Sequence, residues 1–198
     1  EGVVKEFPIL EKTLSEIGST QIRNRGTIVG NIVNASPAGD AVLAMYLLDA
    51  LLVIRSAGSE KTVRIDHFIK GPGKTTLEKG EYIHSIIIPN GTNNSVHYFK
   101  KVGQRKAMAI SIASMGAIYT LKKGMFLNLK MAFGSVAPTV IRVDEIEAMA
   151  LGMPFTEETA QILAQKAKTI VKPITDVRAS GEYRKEVSGN LVIGMFEN

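Results

Sequence analysis

The apolar positions of the first fifty residues predict two helices with a polar segment between them. After Pro8, which suits the first turn of a helix, apolar residues recur at helical spacing: Leu10, Leu14 and Ile17. Gly18 ends this pattern, and residues 41–48 form a second apolar run with Asp40 as a candidate N-cap. The segment 18–40 reads GSTQIRNRGTIVGNIVNASPAGD, and we expect irregular structure there, with its apolar residues buried on one side.

Runs of β-branched and aromatic residues predict strands through the middle of the chain. They cover residues 51–55, 62–65, 82–88, 96–102, 110–121 and 125–133. Lys122-Lys123-Gly124 predicts a hairpin between the last two runs. The polar patch 89–95 is the best boundary candidate, so we predict one domain over residues 1–94 and another over residues 95–198.

The last third of the chain predicts helices: one near 143–151, one that runs from Thr156 and is stopped by Pro173, and one from near Ser180. The last helix would carry Tyr183, Val187 and Leu191 inward. Strands followed by segregated helices are typical of α+β units and not of a parallel doubly wound sheet. The predicted fold class is therefore α+β.

Composition narrows the classes of function. With 198 residues, 45% of them hydrophobic, the chain can bury a large core. The net charge of +5 comes from scattered lysines, so we expect no nucleic-acid partner. The absence of cysteine excludes thiolate metal sites and iron–sulfur ligation by the chain itself, and it predicts an intracellular, cytoplasmic protein. The longest apolar run, 41–54, is too short to span a bilayer.

Residues 71–76, GPGKTT, look like the end of a phosphate-binding P-loop. The motif needs a glycine where this chain has Phe68, and Pro72 removes a backbone donor from the loop. We therefore interpret these residues as a glycine-rich connection between a helix and a strand, without a nucleotide.

The segment 18–40 is the stronger candidate site. Successive backbone N–H groups can hold a pyrophosphate where side chains are small, and this segment is rich in such residues: Thr27, Gly30, Asn31, Ala35, Ser36, Ala38 and Gly39. Asp40 could accept hydrogen bonds from the hydroxyls of a cofactor. A purely structural loop, with Asp40 as a helix cap, is the alternative.

Several blocks of the sequence resemble one family. They are QIRNRGTIVGNIVNASPAGD (21–40), residues 80–89, YFKKVGQRKAMAISIASMGA (98–117), AFGSVAPTVIRVDEIEAMALG (132–152) and DVRASGEYRKEV (176–187). In this order and spacing they resemble the FAD-binding medium subunits of the molybdenum hydroxylases, the family of xanthine, carbon monoxide and nicotinate dehydrogenases. The resemblance covers nearly the whole chain.

The resemblance implies a fold and a set of site residues. The fold would be the second lobe of a vanillyl-alcohol-oxidase-type FAD-binding domain, with the first lobe absent from this chain, followed by an α+β carboxy-terminal domain. The implied FAD-binding residues are Thr27, Ile28, Val29, Gly30, Asn31, Asp40, Ile83 and Lys100. Relatives commonly have two consecutive glycines where this chain has Val29-Gly30, so the Val29 amide would sit differently.

The resemblance also implies a function in electron transfer. A molybdopterin-binding subunit would oxidise the substrate, a 2Fe-2S subunit would carry electrons singly, and FAD on this chain would pass them to an external acceptor. Lys100 would raise the flavin potential; the alternative is an ordinary surface lysine. Tyr183 and Arg184 are interpreted as structural. A noncatalytic scaffold subunit without FAD is the competing hypothesis, and either way we expect a hetero-oligomer.

Overall fold

The computed structural model describes residues 6–89, 94–104 and 110–197. The first elements of the described chain are four helices. They are α1 (Pro8–Ser15), α2 (Thr20–Arg25), α3 (Ile28–Asn34) and α4 (Asp40–Leu47). The irregular structure expected over residues 18–40 is wrong, because its small polar residues cap helices. Ser19 accepts a hydrogen bond from the Ile22 N–H, and Thr27 accepts one from the Gly30 N–H.

Helix α4 is buried along its whole length and packs against the second sheet of the protein. A Cβ atom at Gly116 would lie 2.6 and 2.7 Å from side-chain atoms of Leu43 and Leu47, so only glycine permits this approach. The predicted N-cap at Asp40 is wrong. Gly39 is the N-cap, and Asp40 is the first helical residue because its carboxylate is bound elsewhere, by Lys101.

The first sheet contains β1 (Leu51–Arg55), β2 (Glu60–Arg64) and β5 (Tyr82–Ile87), antiparallel and in the order β2-β1-β5. Residues between β2 and β5 form α5 (Ile65–Phe68), β3 (Ile69–Gly71) and β4 (Lys74–Thr75). The observed strand β2 therefore begins and ends earlier than the predicted strand 62–65. Residues 71–76 form the β3–β4 hairpin, with Gly73 at φ +66°, and not a connection between a helix and a strand.

The second sheet is antiparallel in the order β6-β7-β8-β9. Its strands are β6 (Val96–Gly103), β7 (Ser111–Lys122), β8 (Met125–Gly134) and β9 (Ile141–Arg142). Lys123 and Gly124 both have positive φ, as a tight hairpin turn requires, so the predicted β7–β8 hairpin is confirmed. The helices α6 (Asp144–Ala150), α7 (Glu157–Ile170) and α8 (Gly181–Phe196) follow, and the predicted α+β class is confirmed.

Helix α8 differs from its prediction in which residues face the core. Tyr183 is 49% exposed, whereas Arg184 is 3% exposed and lies on the same stripe as Val187 and Leu191. The inward position predicted for Tyr183 is wrong, because the buried stripe follows a spacing of three and four residues from Arg184. Hydrogen bonds from Arg184 to Ile112, Ser135 and Asp176 agree with the structural role predicted for it.

Two clusters of buried apolar side chains form the core of the described residues. The first surrounds α4 and the first sheet, and it also contains Ile118, Ala132 and Val140 from the second half of the chain. The second lies between the second sheet and the closing helices. The first cluster therefore contains residues from both halves of the chain. The boundary predicted at residue 94 adjoins residues 90–93, outside the described part, and it stays a prediction.

Candidate functional site

A surface cavity of about 690 Å³ lies where α2 meets α3. The residues lining it come from the end of α1, from α2 and α3, and from the start of α4: Leu14, Ile17, Ile22, Arg23, Arg25, Gly26, Thr27, Ile28, Gly30, Asn31, Asn34 and Ala41. A cavity of this volume is in the range of small-molecule and cofactor sites. The segment that the sequence singled out therefore borders a binding-sized space.

The charge of the cavity favours an anion. Arg23 and Arg25 line it, and none of the described lining residues is a carboxylate. The Arg23 guanidinium is held in place by hydrogen bonds to the carbonyl oxygens of Ile17 (2.9 Å) and Gly18 (3.2 Å). Guanidinium groups are the preferred protein partners of phosphate oxygens. Sequence reasoning missed both arginines, although their spacing of two residues inside the quoted segment was visible.

The beginning of α3 forms one wall of the cavity. The Thr27 hydroxyl accepts the Gly30 N–H at 2.9 Å, and a Cβ atom on residue 30 would stand 2.9 Å from that same oxygen. Glycine is thus required at residue 30 for the cap to form. Ile28 and Val29 pack partly against the first core, which fixes the helix to the protein. Val29 does not line the cavity, whereas Thr27, Ile28, Gly30 and Asn31 do.

Two side-chain oxygens near this wall are buried and have no hydrogen-bond donor among the described residues. They are Asn31 Oδ1 and Asp40 Oδ1. A buried acceptor without a donor costs roughly 1–3 kcal/mol, and more if it is charged. Asn31 lines the cavity, while Asp40 lies directly beside the lining residue Ala41. Both oxygens are therefore suited to a ligand that carries hydrogen-bond donors.

The second oxygen of Asp40 is bound by a lysine that the sequence did not single out. Lys101 Nζ donates to Asp40 Oδ2 at 2.8 Å and to the Glu16 carbonyl oxygen at 2.5 Å. The side chains of Lys101 and Asp40 are 8% and 6% exposed. The lysine thus joins strand β6 to the end of α1 and the start of α4, which are the two helix ends next to the cavity.

The pKa of the Asp40 carboxyl is raised above its ordinary value of 3.8, chiefly because burial removes it from water. The hydrogen bond and the charge of Lys101 act in the opposite direction, and the negative charge of Glu16 raises the pKa further. Burial prevails because Oδ1 gains no compensating donor. A ligand that donated a hydrogen bond to Oδ1 would favour the charged carboxylate.

The structure does not bring Ile83 and Lys100 to the cavity wall. Ile83 lies in β5, pairs with Ile54 and is buried in the first core. Lys100 is exposed, and its neighbour Lys101 is the residue that reaches Asp40, because successive side chains of a strand point to opposite faces. The burial of β6 does not alternate regularly along the strand, so the sequence carried no clear signal for Lys101.

Comparison with known protein families covers both halves of the chain. Residues 1–91 match the FAD binding domain in molybdopterin dehydrogenase, and residues 97–198 match the CO dehydrogenase flavoprotein C-terminal domain. Among the described residues, no helix has both the length and the apolar character needed to cross a membrane.

Individual relatives agree with these matches. The glyceraldehyde dehydrogenase medium chain of Sulfolobus acidocaldarius is 31% identical over 98% of this chain and 69% of its own length. The xanthine dehydrogenase FAD-binding subunit of Escherichia coli is 34% identical over 91% of this chain and 62% of its own length. This chain therefore spans somewhat more than three fifths of the length of such relatives.

A solved structure shows the same fold. The carbon monoxide dehydrogenase of Hydrogenophaga pseudoflava that lacks the Mo-pyranopterin moiety of the molybdenum cofactor matches with a TM-score of 0.91 and 29% identity. The match covers 98% of this chain and 68% of that chain. Quinoline 2-oxidoreductase from Pseudomonas putida 86, at 24% identity and a TM-score of 0.93, supports the fold alone.

The fold and the two family matches thus define an FAD-binding flavoprotein subunit. The chain belongs to the FAD-binding medium subunits of the molybdenum hydroxylase family, so the family resemblance is confirmed. FAD fits the residues present: two arginines suit its pyrophosphate, apolar side chains suit its rings, and unpartnered oxygens suit its hydroxyls.

Proposed function

We propose that this chain is the FAD-carrying medium subunit of a molybdenum-containing hydroxylase or dehydrogenase complex. In the complex, electrons would pass from 2Fe-2S clusters on a partner chain through FAD to an external acceptor, and a molybdopterin-binding partner would oxidise the substrate. The observation that carries the proposal is the 690 Å³ cavity, which has two arginines and no carboxylate among its described lining residues. Such a site favours a dianionic, partly apolar cofactor.

The cavity residues divide into groups that suit different parts of the cofactor. Arg23 and Arg25 would pair with the pyrophosphate, close to residues 27–31 at the beginning of α3. Apolar side chains would contact the ring surfaces: Leu14, Ile17, Ile22 and Ile28. FAD, when bound, supplies the capacity to take up and release electrons both singly and in pairs. The chain supplies its position and its electrostatic surroundings.

Asp40 would hold a donor group of the cofactor through Oδ1, the oxygen that has no donor among the described residues. Lys101 would position Asp40 for this contact, since it fixes Oδ2 at 2.8 Å. Asn31 would contribute a second acceptor at the cavity wall. These roles extend the set predicted from the sequence by one positioning residue, Lys101, and by the two arginines.

The remaining sequence predictions belong to the same proposal. Ile83 in β5 and Lys100 in β6 would contact the flavin, although neither of them lines the cavity. The hetero-oligomeric assembly, the cytoplasmic location and the domain division at residue 94 are likewise proposed. Relatives named as medium chains or FAD-binding subunits support the assembly.

The test is the visible spectrum of the complex purified with its co-purifying chains. Bound flavin should give an absorption band near roughly 450 nm, as flavins in general do. Arg25→Gln should lower the FAD-to-protein ratio after gel filtration, because a charge-assisted contact is lost. Arg55→Gln, which changes an exposed arginine paired with Glu60 outside the cavity, is the matched control and should keep full FAD.

The opposite result would support the scaffold hypothesis. An intact complex that contains the chain at full stoichiometry, shows no flavin band and takes up no added FAD would contradict the proposal. Equal FAD content in Arg25→Gln and wild type would remove the cavity as the site while leaving the family assignment intact.

A further inference from the structure

A second cavity, of about 420 Å³, shares no described lining residue with the first, although residues 36–38 on its wall lie in sequence between Asn34 and Ala41 of the first. It is enclosed by the loop at 36–38, by the beginning of β7, by the loop after β8 and by the approach to α8. Its walls are rich in proline, alanine and isoleucine, so most of its surface is apolar. The proposed FAD site does not account for it.

Three polar atoms of the lining residues are buried without a hydrogen-bond partner among the described residues: Ser111 Oγ, Ser135 Oγ and Arg184 Nε. Ser111 and Arg184 are each only 3% exposed, which makes an unsatisfied donor expensive. The three residues that carry these atoms all line one mostly apolar cavity, and a few polar groups in an apolar space are typical of ligand sites.

The rest of the Arg184 guanidinium is fixed by the protein. Nη1 donates to the carbonyl oxygens of Ile112 (2.5 Å) and Ser135 (2.9 Å), and Nη2 donates to Asp176 Oδ1 at 2.7 Å. These bonds prevent the side chain from turning to satisfy Nε elsewhere. The unpaired Nε–H is therefore held in a set orientation, on a residue that lines the cavity.

The charged side chains among the described lining residues carry a net charge of +1. Arg184 and Arg178 both pair with Asp176, which is the only carboxylate among the described lining residues. Two guanidinium groups against one carboxylate favour a ligand with a single negative charge. The apolar walls, which include Pro37, Pro138 and Ala137, favour a flat hydrocarbon body attached to that charge.

We infer that this second cavity binds a monoanionic aromatic carboxylate. Its carboxylate oxygens accept hydrogen bonds from the Nε–H of Arg184 and from the hydroxyl groups of Ser111 and Ser135. The ring system lies against the proline and alanine walls. The site stands independently of the flavin, since it rests on residues that do not border the first cavity.

The experiment uses the purified complex and measures the binding of 2-naphthoate by titration calorimetry, with the neutral 2-naphthalenemethanol as the comparison compound. The carboxylate should bind about tenfold or more tightly than the alcohol, because it forms a charge-assisted hydrogen bond with Arg184. Ser111→Ala should weaken naphthoate binding about fivefold, as expected for one lost hydrogen bond. Ala137→Leu should abolish binding by filling the cavity.

Ser59→Ala, in the exposed turn after β1, is the matched control and should leave naphthoate binding unchanged. FAD content should not change in any of these variants, which separates this inference from the proposed function. Three results would overturn it: no naphthoate binding by the wild-type complex, equal affinity for acid and alcohol, or full affinity in Ala137→Leu. A crystal structure that shows only water, or a partner's side chain, against Arg184 Nε after soaking would overturn it too.

Discussion

Two carboxylate–cation pairs, one fully buried and one with a partly exposed carboxylate, behave in opposite ways. Asp40 pairs with Lys101 beside the first cavity, and the pKa of its carboxyl is raised by burial. Asp176 pairs with Arg184 before α8, and its pKa is lowered to about 2, chiefly by the backbone N–H of Arg178 and also by the Arg184 side chain.

The difference lies in the hydrogen bonds that each carboxylate receives. Asp176 Oδ1 accepts from the N–H groups of Arg178 and Ala179 and from Arg184 Nη2. Asp40 accepts from Lys101 on one oxygen, while the other is buried without a donor among the described residues. A carboxylate fully supplied with donors stabilises the fold, whereas one that lacks a donor is suited to a ligand.

The largest expected loss of stability is at the Asp176–Arg184 pair, whose carboxylate is fully supplied with donors. Arg184→Met removes the donors to the carbonyl oxygens of Ile112 and Ser135 and to Asp176, and it should lower the free energy of unfolding by about 3–5 kcal/mol, because two carbonyl oxygens lose their donor and a charge-assisted hydrogen bond is lost. Arg178→Met, which removes the exposed cation from the same carboxylate, should cost less than about 1 kcal/mol. Urea denaturation measures both. Equal losses would show that burial does not distinguish the two arginines.

A smaller loss of stability is expected at the Asp40–Lys101 pair, in which one carboxylate oxygen has no donor among the described residues. Lys101→Met should lower the free energy of unfolding by about 2–3 kcal/mol, below the usual range for a buried pair, because Asp40 can respond by taking up a proton. Lys100→Met, one residue earlier on the exposed face of β6, should change stability by less than about 0.5 kcal/mol.

The same two variants separate the roles of the neighbouring lysines toward FAD. Lys101→Met should reduce FAD content, because Asp40 loses the contact that positions it. Lys100→Met should retain FAD; if Lys100 tunes the flavin, its loss should lower the flavin potential and slow electron exit. An FAD loss in Lys100→Met with full FAD in Lys101→Met would reverse the assignment drawn from the strand geometry.

The pH dependence of stability should have opposite signs at the two carboxylates. The pKa of Asp176 is about 2 in the folded protein, below the ordinary 3.8, so its contribution is present above about pH 4 and is lost as the pH falls toward 2. The pKa of Asp40 is raised above its ordinary value of 3.8. Its contribution to the stability of the fold is therefore present below about pH 3.8 and is lost as the pH rises through the folded-state pKa.

Thermal melts of wild type, Asp176→Asn and Asp40→Asn across this pH range test these signs. The deficit of Asp176→Asn relative to wild type should shrink as the pH falls. Asp40→Asn should become more stable relative to wild type as the pH rises, because asparagine resembles the neutral acid. Parallel curves for all three proteins would contradict the contrast between the pairs.

The sequence was sufficient to predict the elements that have a clear local pattern of apolar residues. The buried helix predicted over 41–48 is present at Asp40–Leu47, the β7–β8 hairpin is present, and the helix predicted from Thr156 is present at Glu157–Ile170, because each rests on a local pattern. The segment 18–40 was not predictable in the same way. Its small polar residues serve both turns and helix caps, and Ser19 and Thr27 act as caps here.

The site was predictable only in its local part. Thr27, Ile28, Gly30 and Asn31 are neighbours in sequence, and they do line one cavity. The contact between Asp40 and Lys101 joins residues 61 positions apart, and it depends on which face of β6 turns inward. Tyr183 and Arg184 illustrate the same limit, since a one-residue rotation of α8 exchanges an exposed ring for a buried guanidinium.

The most direct test of the account is the FAD-to-protein ratio of the complex after gel filtration for wild type, Asp40→Asn and Asp176→Asn. We predict that Asp40→Asn assembles and folds normally by circular dichroism but releases FAD on dilution, because a charge-assisted hydrogen bond becomes a neutral one, weaker by about half. Asp176→Asn should lose stability and keep its FAD. Full FAD in Asp40→Asn, or equal FAD loss in both variants, would contradict the claim that the incomplete carboxylate marks the cofactor site.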